Sequence, residues 1–339
     1  MSVQTTKINN RRYLGNKYKL LPFITKIVTE NCGDFSSFTD IFAGTGAVAS
    51  AYTNKQLTTN DILFSNYISN TAWFSPEDFD GDKLVGFISN YNDLSTSEEN
   101  YMTANFANTY FSHDVCSKIG FVREDIENKK NTAVINNREY AILLTSLFYA
   151  MDRIANTCGH YDAYRQNEDL SQQVLEMRML SAEKNLNAQN KCFNIDSNVL
   201  ASLIKSDIVY LDPPYNSRQY CDAYHLVENV ARWQKPEVFG VAKKMDRTAL
   251  KSKYCTHFAP NAFDDLISRL DAKYILVSYN NMKNKGNNRS NARINDEQIM
   301  DSLKKRGKIQ VFSEEYKSFT TGKSERSDNQ ERLFLCKCR

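Results

Sequence analysis

The stretch Asp207–Tyr215, DIVYLDPPY, places an acid, two prolines and a tyrosine directly behind an apolar run. Ile208–Leu211 reads as a buried strand, and two consecutive prolines remove two backbone donors, so that strand has to stop at Asp212. In an open α/β sheet, ligands bind beyond the carboxyl ends of the strands, and Asp212 occupies such an end. Its carboxylate and the carbonyl of Pro213 present two acceptors to a single amino group, held by Pro213 and Pro214 in a rigid turn. Tyr215 offers a flat ring against which a base can stack, the geometry used by enzymes that act on a flipped base. The simpler reading is a proline-capped strand with a surface aspartate.

A second chemical signal lies upstream, in DIFAGTGAVA, Asp40–Ala49. Gly44 and Gly46 let the backbone turn sharply and approach a ligand at the exposed start of the next element. A phosphate-binding P-loop needs Lys-Ser/Thr after the second glycine, and Ala47-Val48 stand there instead. Two ligands remain compatible with the turn. A dinucleotide site accepts this glycine spacing with an acid further on, and Asp61 follows Asp40 by 21 residues. An S-adenosylmethionine site uses the same crevice with an acid at the end of the first strand, which is Asp40. A tight strand–helix turn without ligand is the third reading.

These residues have to be positioned by the elements around them. Apolar residues at 20, 21, 23, 24, 27 and 28 give helical periodicity, with Pro22 tolerated near the helix start. SSFTDIF reads as a strand, the glycine turn as a connection into a helix, and QLTTNDI as the next strand, ending at Asp61. Residues 70–190 lack this rhythm and read as a largely helical insertion, with helices over 138–159, stopped by Gly159, and over 170–188. The strand–helix alternation returns at DIVYL and continues as helix and strand over 262–281, a helix over 295–307 and two strands, KIQVFSEEY and RLFLCK, joined by a polar hairpin. Residues 283–295 read as a loop.

Composition sets the outer limits. The chain has 339 residues, 41% hydrophobic and 24% charged, with net charge +3, as for an ordinary globular protein. Basic residues gather in two places, 1–30 and 234–254, which are candidate phosphate-contacting surfaces. Eight cysteines occur without a CxxC pair, which suits neither a zinc site nor a disulfide framework and points to a reducing compartment. The N-terminus lacks an apolar signal core and no apolar run approaches membrane-spanning length, so a cytoplasmic protein is expected.

DPPY after a strand, FAGTG upstream of it and RRYLGNKYKLL at the N-terminus, in this order, resemble the alpha group of amino-group DNA methyltransferases, which includes DNA adenine methylase. FYAMDRIANTCGHYDAY, 148–164, is similar to a segment of restriction-associated members. The resemblance implies a Rossmann-like S-adenosylmethionine-dependent methyltransferase sheet from residues 1–69 and 190–339, with 70–189 as an inserted target-recognition domain. It implies cofactor contacts from Tyr13, Lys17, Asp40, Phe42, Gly44, Gly46, Asp61, Phe193, Asp196 and Asp212, with Asp61 on the ribose hydroxyls. Asp212, Pro213, Pro214 and Tyr215 are then catalytic. The implied reaction is methyl transfer from S-adenosylmethionine to adenine N6 in double-stranded DNA after base flipping, in a restriction–modification setting, by a monomer or weak dimer without a metal. Arg165, Arg218, Lys243, Lys244 and Arg247 are the expected DNA contacts, with Lys283, Lys285, Arg289 and Arg293 as further basic candidates. Cytosine-N4 or RNA-adenine methylation and an NAD-binding oxidoreductase are the competing readings.

Overall fold

The computed structural model describes residues 3–11, 13–280, 292–315 and 330–339. Two short strands, β1 (Thr5–Thr6) and β4 (Met179–Leu180), pair in parallel by themselves. The main sheet is built from β2 (Ser37–Asp40), β3 (Gln56–Asn60), β5 (Lys191–Phe193), β6 (Lys205–Leu211), β7 (Asp271–Asn280), β8 (Gly307–Glu315) and β9 (Gln330–Cys338). Its order is β5-β3-β2-β6-β7-β9-β8. The strands from β5 to β7 are parallel, and β9 runs antiparallel between β7 and β8. From β2 the chain winds outward through β3 to β5, and from β6 in the opposite direction. The carboxyl ends of β2 and β6 therefore flank the point where the winding reverses, the usual ligand crevice of an open sheet.

Both faces of the sheet are covered, as parallel strands require. Along β6 the side chains alternate: Ile208 and Tyr210 join one core, Val209 and Leu211 the other. The first core also takes residues from α1 (Leu21–Asn31), α2 (Phe64–Phe74), α3 (Gly81–Asp93), α4 (Tyr101–Phe106), α5 (His113–Asn131) and α6 (Asn137–Ile154). The short helix α8 (Tyr220–Ala223) and α9 (His225–Arg232) lie on the same side. The opposite face is closed by α7 (Ser197–Ala201), α10 (Ala259–Arg269) and α11 (Asp296–Lys304). Helix starts follow local chemistry. Pro22 sits in the first turn of α1, and Asn136 with Glu139, and Asn295 with Gln298, form capping boxes on α6 and α11.

Three local expectations give way to tertiary structure. No helix forms over 170–188. Leu175, Met177 and Met179 are buried at every second position, a strand-like period. Asn92 of α3 binds both the N–H and the carbonyl of Met177, the Ser146 hydroxyl of α6 donates to the Arg178 carbonyl, and β1 takes the rest. These partners replace intrahelical hydrogen bonds. Helix α6 stops at Ile154, ahead of Gly159, because Asn156 donates its N–H across to the Tyr110 carbonyl. After the glycine turn there is only a 3-10 turn, Ala49–Tyr52, in place of an α-helix; Ser50 Oγ ties back to the Ala47 carbonyl at 2.7 Å. Among the described residues no helix is long and apolar enough to cross a membrane.

Candidate active site

A cavity of about 820 Å³ opens at the carboxyl ends of β2, β3 and β6. Each strand delivers an acid to it. Asp40 is the last residue of β2, Asp61 follows β3 and Asp212 follows β6. Tyr13, Lys17, Phe42, Gly44, Asp196 and Pro214 complete the sequence-predicted residues in its wall.

Among the described residues, Asp212 is held by a single cation. Lys17 Nζ lies 3.0 Å from Asp212 Oδ1 and 3.3 Å from Glu331 Oε1, with Lys17 buried and the Asp212 side chain 19% exposed toward the cavity. Burial raises the Asp212 carboxyl to about 6, against the downward pull of Lys17, and Glu331 pushes it further up. Burial alone would depress the Lys17 ammonium; Asp212 and Glu331 more than offset this and hold it well above its ordinary value.

Asp40 is almost fully buried, and its Oδ1 finds no hydrogen-bond partner among the described residues. Burial, then Asp212 and Asp61, keeps its carboxyl well above the ordinary range. A buried acceptor left unmade is costly, so this oxygen is matched to a donor arriving from the cavity. Asp61 accepts the Gly44 N–H at 2.9 Å and the Leu63 N–H at 2.8 Å, one on each carboxylate oxygen. Burial, opposed by these hydrogen bonds, leaves its carboxyl raised to about 6.

The glycines have different reasons. Both take positive φ, +52° at Gly44 and +82° at Gly46. A Cβ on Gly44 would stand 3.3 Å from the Tyr13 ring, which spans the cavity wall; one on Gly46 would meet Asn70 and Phe74 at 2.6 Å. Gly46 thus packs the turn onto α2 and does not line the cavity. Tyr13 stacks on Tyr224 at 4.4 Å and 11°, and on Tyr220 at 5.6 Å and 24°. Its hydroxyl accepts from Asn66 Nδ2, while Asn66 Oδ1 accepts from Arg11, which pairs with Asp152 at 3.0 Å. Tyr161 donates to the other oxygen of Asp152. The 148–164 segment thereby supports the N-terminal motif across more than a hundred residues of sequence.

Other predicted residues sit elsewhere. Pro213 is buried behind the turn. Phe193 packs into the second core, whereas Asp196, in the cavity wall, also caps α7 through the N–H groups of Asn198 and Val199. Tyr215, expected to be exposed, is half-buried and edge-on to Tyr279, and its carbonyl accepts the Arg293 N–H at 2.8 Å. Arg293 therefore contributes its backbone here. Arg218 and Arg165 are exposed, and Lys243 lies in a hairpin closed by Phe239 and Lys244. Lys244 pairs with Asp162 and Arg247 with Asp222, both at 2.7 Å. Lys283, Lys285 and Arg289 lie outside the described residues. Among those described, no cluster of three or more His, Cys, Asp or Glu is arranged to hold a metal ion.

The geometry of acids at three adjacent strand ends, with DPPY on β6, agrees with an independent comparison. A family model for D12 class N6 adenine-specific DNA methyltransferases matches residues 13–290. The chain belongs to this family. It is 38% identical over 288 residues to Modification methylase StsI of Streptococcus sanguinis, across 80% of this chain and 44% of that protein. It is 34% identical over 287 residues to Type II methyltransferase M.FokI of Planomicrobium okeanokoites, again across 44% of the relative. The chain thus spans about half the length of these two relatives. With Type II methyltransferase M.NlaIII of Neisseria lactamica the identity is 30% over 335 residues, covering 92% of this chain and 93% of that one.

Sequence reasoning missed several residues of this D12-family site. Tyr224 was signalled by its four-residue spacing from Tyr220 behind DPPY, and the two rings stack at 6.4 Å across the junction of α8 and α9. Asn66 and Asn70 show the same spacing on α2; Asn70 Nδ2 donates to the Gly44 carbonyl. Glu331 carries no local signal at all.

Proposed function

We propose that this chain transfers a methyl group from S-adenosylmethionine to adenine N6 in double-stranded DNA, as the modification enzyme of a restriction–modification pair. The observation that carries the reading is Asp212, half-buried at the end of β6 with one oxygen on Lys17 and its side chain facing a cavity that also holds Asp40, whose Oδ1 has no partner among the described residues.

The residues present fit the cofactor. Asp40 Oδ1 suits the ammonium of its methionine moiety, and the Cβ-free Gly44 allows close approach beside Tyr13. Asp61 keeps acceptor capacity beyond the Gly44 and Leu63 N–H groups for the ribose hydroxyls, and Asp40, Asp61 and Asp212 together favour a ligand with positive charge. When bound, S-adenosylmethionine supplies an electrophilic methyl group on a sulfonium centre.

The chain's own residues supply positioning and electrostatics. Adenine N6 is a weak nucleophile because its lone pair is delocalised into the ring. Asp212 and the Pro213 carbonyl accept its two N–H bonds, which localises that lone pair for in-line attack. Lys17 keeps Asp212 ionised near neutral pH, so it enters the reaction as an acceptor. Tyr215 stacks on the flipped base, Phe193 and Asp196 flank the cofactor adenine, and Arg165, Arg218, Lys243, Lys244 and Arg247 meet phosphates. Lys244 and Arg247 then exchange Asp162 and Asp222 for the DNA backbone. Residues 1–69 and 190–339 form the catalytic unit and 70–189 the target-recognition unit; every strand of the seven-stranded sheet comes from the former.

Asp212→Ala tests the reading. N6-methyladenine formation, read by methylation-sensitive long-read sequencing of DNA from an expressing host, is expected to vanish, while calorimetric binding of S-adenosylmethionine persists. Retained methylation by the variant would sink the assignment.

A further inference from the structure

We propose that Glu331 is a positioning residue for the Asp212 carboxylate, acting through the shared Lys17 ammonium; the inference rests on the catalytic reading of Asp212 above. Glu331 is 3% exposed and lies on β9, two strands away from β6. It falls outside the residues, 13–290, that the family model covers. Antiparallel register sets it opposite Asn280 at the end of β7, where Ser278 Oγ donates to its Oε1 at 2.7 Å. The same Oε1 is 3.3 Å from Lys17 Nζ. The chain Ser278–Glu331–Lys17–Asp212 is therefore continuous, buried as far as Lys17 and opening to the cavity at Asp212.

A buried carboxylate has to be paired or neutralised. Here two carboxylates share one ammonium, and that division has a chemical effect. An ammonium committed to Asp212 alone would draw off its electron density and weaken it as an acceptor for an amino group. Glu331 takes part of the Lys17 charge and fixes the direction in which Nζ points. Asp212 then stays ionised yet basic enough to pull on N6–H. Among the described residues, the other titratable groups facing Asp212 are Tyr210 on β6, Asp40 on β2, and Tyr215 and Tyr220 beyond β6, and Lys17 is the only cation of this group, so loss of Glu331 shifts the balance one way.

Glu331→Gln keeps the shape and the acceptor for Ser278 but removes the charge. In the ligand-free chain, the Asp212 carboxyl followed by carbon-13 NMR is expected to titrate near 6 in the wild type and roughly one pH unit lower in E331Q. The acid limb of the methylation profile is expected to move with it, kcat to fall about tenfold, and KM for DNA to hold. An unmoved midpoint overturns the proposal. Ser278→Ala, which withdraws a donor from the Glu331 carboxylate and leaves it freer to draw on Lys17, is expected to shift the midpoint by less and in the opposite direction, upward; if E331Q does not fold, an unmoved midpoint in folded S278A overturns the proposal instead. A wild-type chain that fails to methylate adenine overturns the catalytic reading and the positioning role together, whereas methylation by the wild type with an unmoved E331Q midpoint overturns the positioning role alone.

Discussion

Lys17→Met removes the cation between the buried Glu331 and the half-buried Asp212 while keeping most of the side-chain volume. In the wild type, Lys17 stands 3.0 Å from Asp212 and 3.3 Å from Glu331, and the Asp212 carboxyl lies at about 6. An opposite charge at such distance lowers a carboxyl by about 1–3 pH units, so its loss moves Asp212 up to roughly 7–9. With a midpoint of about 8, roughly a quarter of the molecules carry ionised Asp212 at pH 7.5, and methylation falls about fourfold at saturating DNA and cofactor. The rate is regained at pH 9. Stability follows the same shift. A carboxyl whose folded value lies above its unfolded one contributes in full below the unfolded value and loses that contribution as pH rises through the folded one. K17M is thus expected to match the wild type most closely near pH 5 in urea unfolding, and to fall behind by about 3–5 kcal/mol at pH 9. N6-methyladenine formation between pH 5 and 9.5 is the assay. A K17M acid limb that stays at pH 6, or moves to lower pH, would refute the reasoning.

Asp61→Ala strips the acceptor from the Gly44 and Leu63 N–H groups. Calorimetry is expected to show S-adenosylmethionine bound roughly tenfold to hundredfold more weakly, and an unchanged affinity would remove Asp61 from the cofactor site. Gly46→Ala drives a Cβ to within 2.6 Å of Asn70 and Phe74 at a φ of +82°. A loss of roughly 2–4 kcal/mol in urea unfolding is expected, and a loss below about 1 kcal/mol would show that α2 yields freely.

The parts of the site that could be read from sequence are those whose signal is contiguous. Asp40 and Asp212 stand where an apolar strand meets glycines or prolines, so local punctuation alone sets each acid at a sheet rim. The same rule located α1, α10, α11 and the strands β6 and β7. It failed over 170–188, where Leu175, Met177 and Met179 already showed a period of two, but backbone partners from α3, α6 and β1 had to exist before an extended chain could outcompete a helix. Nor does it show that the Tyr215 ring meets Tyr279 edge-on, from a strand more than sixty residues away.

What the sequence by itself determined is the set of acids, glycines and prolines at the strand ends and the alternating faces of β6. Only the tertiary structure decided how those acids are charged. Arg11, Asp152 and Asn66 meet behind Tyr13, and Glu331 meets Lys17, because helix packing and antiparallel register bring distant segments together. Backbone conformation depends on neighbours in the chain, whereas the proton affinity of Asp212 depends on burial and on charges that arrive from the N-terminus and from β9.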